Sequence, residues 1–129
     1  MNIEHVALWT QNLEGLKTFY ETYFQASAGE KYTNPEKQFE SYFLAFSSGA
    51  RLEIMQVPEI TGPGGGPDRP LQGYAHLAFS VGSEQAVDAL TARLRQDGYR
   101  VVGEPRRTGD GYYESVVLDP DGNRVEITV

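Results

Sequence analysis

The only two histidines of the chain stand in near-copies of one short segment, Glu4-His5-Val6-Ala7-Leu8-Trp9 and Ala75-His76-Leu77-Ala78-Phe79-Ser80, 71 residues apart. A second echo follows at almost the same offset. Arg51-Leu52-Glu53-Ile54 returns as Arg124-Val125-Glu126-Ile127, 73 residues on, so each half carries one His and, about fifty residues later, one Glu. Two imidazoles and two carboxylates are the raw material of a four-ligand metal site. Borderline nitrogen and hard oxygen donors together suit a divalent first-row ion, because they fill part of an octahedron and leave positions open for a substrate. A lone His in an apolar strand is ordinarily a core or surface residue, and a lone Glu near a chain end is ordinarily solvated. The matched recurrence of both is what directs the reading to one shared site at His5, Glu53, His76 and Glu126.

These residues need elements to hold them, and self-similarity at a fixed offset is the strongest signal of what those elements are. Ile3 to Trp9 and Tyr74 to Val81 read as compact apolar strands. Each precedes a helical pattern. Leu13, Leu16, Phe19, Tyr20 and Tyr23 recur at helical spacing behind Asn12 or Thr10 as a cap, and Ser83 caps a helix whose apolar face is Ala86, Val87, Leu90 and Leu94, ending near Gly98. Glu40-Ser41-Tyr42-Phe43-Leu44 matches Glu114-Ser115-Val116-Val117-Leu118 at an offset of 74. Both lead through a glycine turn, Ser47-Ser48-Gly49-Ala50 and Asp119-Pro120-Asp121-Gly122-Asn123, into the Glu strand. A weaker strand is expected in each half at Ala28 to Thr33 and Tyr99 to Glu104. The repeat unit is strand, helix, then three strands, which makes the fold class α+β.

Side chains alternate faces along a strand. Arg51, Glu53 and Met55 therefore share one face, as do Arg124, Glu126 and Thr128, while Leu52, Ile54, Val125 and Ile127 point the other way. His5 shares a face with Ala7 and Trp9, and His76 with Ala78 and Ser80, whereas Val6 and Leu8 turn toward the helices. The polar residues thus lie away from the helix-covered core, on what a curved sheet makes into a cleft. Small neighbours leave room there for a ligand. Trp9, Arg51, Met55 and Arg124 are candidates for its lining; the two arginines read as surface charge beside Glu, with anion binding the rarer use.

Between the halves, Thr61-Gly62-Pro63-Gly64-Gly65-Gly66-Pro67-Asp68-Arg69-Pro70 excludes regular structure. It divides the chain into a first module over 1–60, a linker over 61–72 and a second module over 73–129. A tether between modules is the commoner role for such a segment, a substrate lid the rarer one. No Lys-Ser/Thr pair follows the glycines, so no nucleotide site is expected.

A chain of 129 residues, 40% hydrophobic and 22% charged, can bury one real core. It contains no long apolar run to span a membrane and no basic-then-apolar N-terminal segment, which leaves the cytoplasm as the default location. The absence of cysteine removes disulfides, thiolate zinc sites and thiol nucleophiles. A net charge of −7 argues against nucleic acid as a partner.

At these residues the sequence resembles the vicinal oxygen chelate superfamily, which includes glyoxalase I, methylmalonyl-CoA epimerase, extradiol dioxygenases and the fosfomycin and bleomycin resistance proteins. The resemblance covers essentially the whole chain, including the Asp119-Pro120-Asp121-Gly122-Asn123 turn before the last strand. It implies two tandem βαβββ modules forming a curved mixed sheet around a metal-binding cleft, usually in a homodimer. His5, Glu53, His76 and Glu126 match all four ligand positions of glyoxalase I. One divalent metal per site is implied, with nickel, cobalt or zinc first and manganese or magnesium as alternatives.

The activity implied is that of a metal-dependent isomerase or lyase of glyoxalase I type, passing through an enediolate of a small α-hydroxycarbonyl or hemithioacetal. A carboxylate takes a proton from one carbon and returns it to the next. The family position points to Glu126 as that base, with Glu53 its pseudo-symmetric alternative. Glutathione-using glyoxalases similar to this chain generally carry Arg four residues after the first ligand and Asn four after the second, where this chain has Trp9 and Val57. An acyl-CoA epimerase would use the same ligands and the same enolate chemistry. A drug-binding resistance protein would bind in the cleft without chemistry, but bleomycin-type binders lack the ligand set. An extradiol dioxygenase needs iron with two His and one Glu, and the second Glu here makes that less natural. The spacing allows a site within one chain or a site shared across a dimer.

Overall fold

The computed structural model describes residues 4–60, 74, 76–109 and 111–129, and the Gly/Pro-rich segment lies outside the described residues. The chain divides into two compact units, Met1–Gly62 and Pro63–Val129. The fold is α+β, with one helix and one mixed sheet among the described residues of each unit. Among the described residues no helix is long and apolar enough to cross a membrane.

The first unit runs β1 (His5–Trp9), α1 (Leu13–Phe24), β2 (Ser27–Ala28), β3 (Tyr32–Asn34), β4 (Phe39–Ala45) and β5 (Arg51–Gln56). Its sheet has the order β1-β5-β4-β2, with β3 also on β4; β1 and β5 are parallel and the other pairs antiparallel. The second unit runs β6 (Leu77–Ser80), α2 (Glu84–Gln96), β7 (Val101–Arg107), β8 (Tyr113–Leu118) and β9 (Arg124–Thr128), in the order β6-β9-β8-β7. The strand that carries or follows each His therefore pairs in parallel with the strand that carries the matching Glu.

Local chemistry sets the helices. The Asn12 side chain accepts from the Gly15 N–H at 3.0 Å, and the Thr10 hydroxyl accepts from Asn12 N–H, so both expected caps act in series. Ser83 accepts from the Ala86 N–H at 3.2 Å. Helix α2 ends where Gly98, at φ 93°, donates to Arg95 and Tyr99 donates to Leu94, the paired bonds of a left-handed C-terminal cap. Helix α1 ends instead on Gln25 in the left-handed region.

The cores follow the alternation. Leu16, Phe19 and Tyr20 of α1 are buried with Leu44, Leu52 and Ile54, and Val87 and Leu94 of α2 with Val117, Val125 and Ile127. Each such aliphatic or aromatic side chain stabilises the unit by about 1.5–3 kcal/mol. The helices pack mainly over the inner strands, α1 on β4 and β5 and α2 on β8. Val6 and Leu8, on the edge strand β1, are consequently half-buried where helix cover was expected.

Three local expectations change. The strand expected over Ala28 to Thr33 is two short strands, because four steps from Ala28 to Tyr32 face only three from Leu44 to Ser41, and the extra residue breaks the ladder. The β4 segment matches β8 at an offset of 73 rather than 74. Phe43 pairs with Glu53 as Val116 pairs with Glu126, which makes Tyr42 the counterpart of Ser115 on the core face. In α2 the buried position is Thr91, and Leu90 is only half-buried. The Thr91 hydroxyl bonds both the Val87 carbonyl and Ser115 Oγ, each at 2.6 Å, so two core hydroxyls satisfy one another.

The turn into β9 is organised by Asp119, which is 4% exposed. Its carboxylate accepts from the N–H groups of Asp121 and Asn123 and from the Asn123 side chain, and Gly122 at φ 83° closes the loop.

Candidate metal centre

Parallel pairing of β1 with β5 sets His5 opposite Arg51, Ala7 opposite Glu53 and Trp9 opposite Met55. His5 and Glu53 are thus diagonal neighbours on one face, and His5 Nε2 lies 3.9 Å from Glu53 Oε2. In the second unit Ala78 stands opposite Glu126 and Ser80 opposite Thr128. There His76 Nε2 is 3.2 Å from Glu126 Oε2. Both units bring a His beside a Glu with an alanine directly across from each carboxylate, but His5 lies within β1 whereas His76 stands just before β6. Burial follows, since the Glu53 and Glu126 side chains are only 16% and 18% exposed while the imidazoles are about two-fifths exposed.

In the first unit a further group acts on the histidine. Glu4 accepts a close hydrogen bond from His5 Nδ1, which leaves Nε2 as the free donor atom facing Glu53. Arg51 donates Nε to the other Glu4 oxygen at 2.8 Å, and its guanidinium lies 4.1 Å over the Phe43 ring. The His5 hydrogen bond, reinforced by Arg51, holds the Glu4 carboxyl below the usual carboxylate range. Phe43 also meets the His5 ring edge-on at 5.3 Å. Arg51, expected as surface charge, is therefore part of an orienting chain from Arg51 through Glu4 to His5. Glu4 itself was not singled out by sequence reasoning. Its counterpart by repeat is Ala75, and a search for matched residues passes over what only one half possesses.

The donor set fits a divalent ion. Two ligands about 2.1 Å from a common ion stand about 3 Å apart when their bonds meet at right angles, close to the 3.2 Å of His76 and Glu126. The His5 and Glu53 atoms are farther apart, at 3.9 Å. Among the described residues no group of three or more His, Cys, Asp or Glu side chains is gathered for one ion, and each unit taken alone brings together one His and one Glu. Trp9 and Met55 lie on the same face as the first pair, and alternation puts Arg124 on the face of the second.

The sequence model of the Glyoxalase/Bleomycin resistance protein/Dioxygenase superfamily matches residues 2–127. The uncharacterized protein YqjT of Bacillus subtilis (strain 168) is 29% identical over 130 residues, spanning 97% of this chain and 96% of that protein. Among solved structures, the glyoxalase family protein from Enterococcus faecalis superposes with a TM-score of 0.77 at 27% identity, over 99% of this chain and 97% of that one. The trypanothione-dependent glyoxalase I of Leishmania major shares the fold at 22% identity, with a TM-score of 0.78 over 99% of this chain and 86% of its own.

Proposed function

The chain belongs to the glyoxalase/bleomycin resistance protein/dioxygenase superfamily, and from that premise we propose that it is a metal-dependent isomerase or lyase of glyoxalase I type. Its substrate is a small α-hydroxycarbonyl or hemithioacetal. The observation that carries the reading is the repeated pair: His5 of β1 with Glu53, and His76, immediately before β6, with Glu126, on parallel strand pairs that set an alanine opposite each Glu. In this reading all four side chains hold one divalent ion, nickel, cobalt or zinc before manganese or magnesium. The four come together within one chain or across a homodimer.

A bound ion would supply positive charge beside an oxygen on which negative charge develops as a proton leaves the neighbouring carbon. The remaining work falls to the protein. Glu126 removes the proton and returns it one carbon away. Its strand neighbours are Ala78 and Val116, which leave a carboxylate room to turn. Glu53 has the Phe43 ring beside it, itself held between His5 and Arg51. That difference supports Glu126 as the base and Glu53 as the more static ligand.

The test is turnover of metal-reconstituted protein in deuterium oxide, with hemithioacetals of methylglyoxal and several thiols and with simple α-hydroxyketones. The proposal expects metal-dependent product formation with solvent deuterium entering beside the new carbonyl. Metal-independent rates, or none with any of these compounds, would contradict it.

A further inference from the structure

The face of the first sheet that carries Glu53 continues into a row of a different character. Register places Trp9 opposite Met55, Met55 opposite Ser41 and Ser41 opposite Tyr32, so these four lie side by side across β1, β5, β4 and β3. The row is one same-face step, about 7 Å, from Ala7 and Glu53. Phe39 lies one such step farther along β4. Its ring meets Trp9 edge-on, with centroids 6.2 Å apart at 89°, and leans against Tyr32 at 5.9 Å. The outer two rings are open to solvent, Trp9 at 52% and Tyr32 at 56% exposure.

The charge on this face is equally specific. Of all residues in the five strands of the first unit, Arg51 is the only Lys or Arg. It is turned to Glu4 and stacked over Phe43. Lys31, just before β3, is drawn to the helix side by Glu14 and Glu40. The row itself is made of aromatic faces, a hydroxyl and a thioether, and none of its residues is a cation that would neutralise an anionic substituent.

The second unit serves as an internal control. The positions matching Trp9, Met55, Ser41 and Tyr32 by register are Ser80, Thr128, Glu114 and Arg106, and only the Phe39 position, Tyr112, keeps a ring. Arg106 reaches to 3.7 Å from Glu114. The same module is thus built with a polar row, so the fold does not require aromatic residues there. Tyr112 is itself exposed, at 55%, but it stands without the neighbouring rings of the first unit, and rings gathered in one row on one half alone are a binding feature.

We propose that Trp9, Phe39, Tyr32 and Met55 form a subsite for an uncharged aromatic substituent of the substrate, carried next to the vicinal oxygens that the metal would engage. This rests on the function proposed above, and it assigns the substrate class as aryl-bearing rather than peptide-thiol-bearing.

Two hydroxamates with identical oxygen donors separate the two ideas. Acetohydroxamate reads the metal alone, and benzohydroxamate reads the metal and the aromatic row together. Calorimetry on zinc-loaded protein is expected to give benzohydroxamate about tenfold or more tighter binding. The ratio should narrow toward unity in Trp9→Ala and in Tyr32→Ala, both at exposed positions where folding is preserved. Equal affinities in the wild type, or a preference that survives both substitutions, would overturn the subsite. Acetohydroxamate binding without metal dependence would instead contradict the metal reading. In that case Trp9, the single tryptophan of the chain, reports ring binding directly: saturable quenching of its fluorescence by benzamide supports the subsite, and no quenching overturns it.

Discussion

Ala78 stands directly opposite Glu126 across the parallel β6–β9 pair, as Ala7 stands opposite Glu53 across β1 and β5. A methyl group at each of these places keeps the space beside the carboxylate open. Both alanines are exposed, so enlarging them meets no core. Ala78→Leu is expected to change unfolding free energy by less than about 0.5 kcal/mol, while turnover falls by about tenfold or more because the reacting carbon is displaced. Denaturant unfolding and steady-state rates check this. A variant that keeps wild-type turnover would show that the space beside Glu126 is not where substrate lies.

In the proposed mechanism Glu126→Gln removes the proton acceptor but keeps a neutral oxygen donor of the same size. Turnover should drop on the order of a hundredfold or more, with metal content by elemental analysis largely retained. The matching Glu53→Gln change should lower metal affinity more than it lowers the rate per bound ion. The reverse ranking would move the base to Glu53.

The Thr91–Ser115 hydroxyl pair, at 2.6 Å in the core of the second unit, is open to a double-mutant cycle. Thr91→Val should cost about 1–3 kcal/mol, because it strands the Ser115 hydroxyl in a dry environment. Adding Ser115→Ala should recover part of that loss. Fully additive costs in urea unfolding would show that the pair contributes nothing as a pair.

Stability should depend on pH through the cluster of Glu14, Lys31 and Tyr42. Burial alone would raise the Glu14 carboxyl, but hydrogen bonds from Lys31 and Tyr42 outweigh it and leave it below its ordinary 4.5. Its contribution is present above that value and is lost as pH falls through the lower folded one. Hydrogen bonds to Glu40 and Glu14 raise Lys31 above 10.5, and burial followed by the Glu14 hydrogen bond raises Tyr42 above 10.0. Those contributions are present below these values and are lost as pH rises through the folded ones. Thermal unfolding across pH should show both limbs, and Glu14→Gln should flatten the acid one. An unchanged acid limb would place that dependence elsewhere.

Where the sequence pattern was regular, it was sufficient. The alternation in Arg51-Leu52-Glu53-Ile54 and its repeat puts Leu52, Ile54, Val125 and Ile127 in the cores, and Asn12 and Ser83 cap the helices they precede. Short side-chain motifs do not report ladder slippage. The extra residue between Ala28 and Tyr32 therefore split one expected strand into two, and matching Glu40-Ser41 to Glu114-Ser115 by identity missed the true register by one residue. Thr91 was hidden for another reason, since a hydroxyl on an apolar face is legible only once its partner Ser115 is known.

The site shows the same division. The repeat exposed the four residues common to both halves because two copies of His and Glu are improbable as accidents. It was blind to Glu4 and Tyr32, which belong to one half alone, whereas strand alternation had already put Trp9 and Met55 on the cleft face. Residues that differ between the halves are where the two modules depart from their shared plan.

The central claim is that the two pairs act as one four-ligand site. It is tested most directly by calorimetric titration of chelator-stripped protein with nickel, zinc and manganese, repeated on His5→Ala and His76→Ala. The account predicts tight binding of about one ion per chain, weakened by either substitution alone. Two weak ions per chain, each lost with only one of the histidines, would contradict it, as would no saturable binding of any of the three metals.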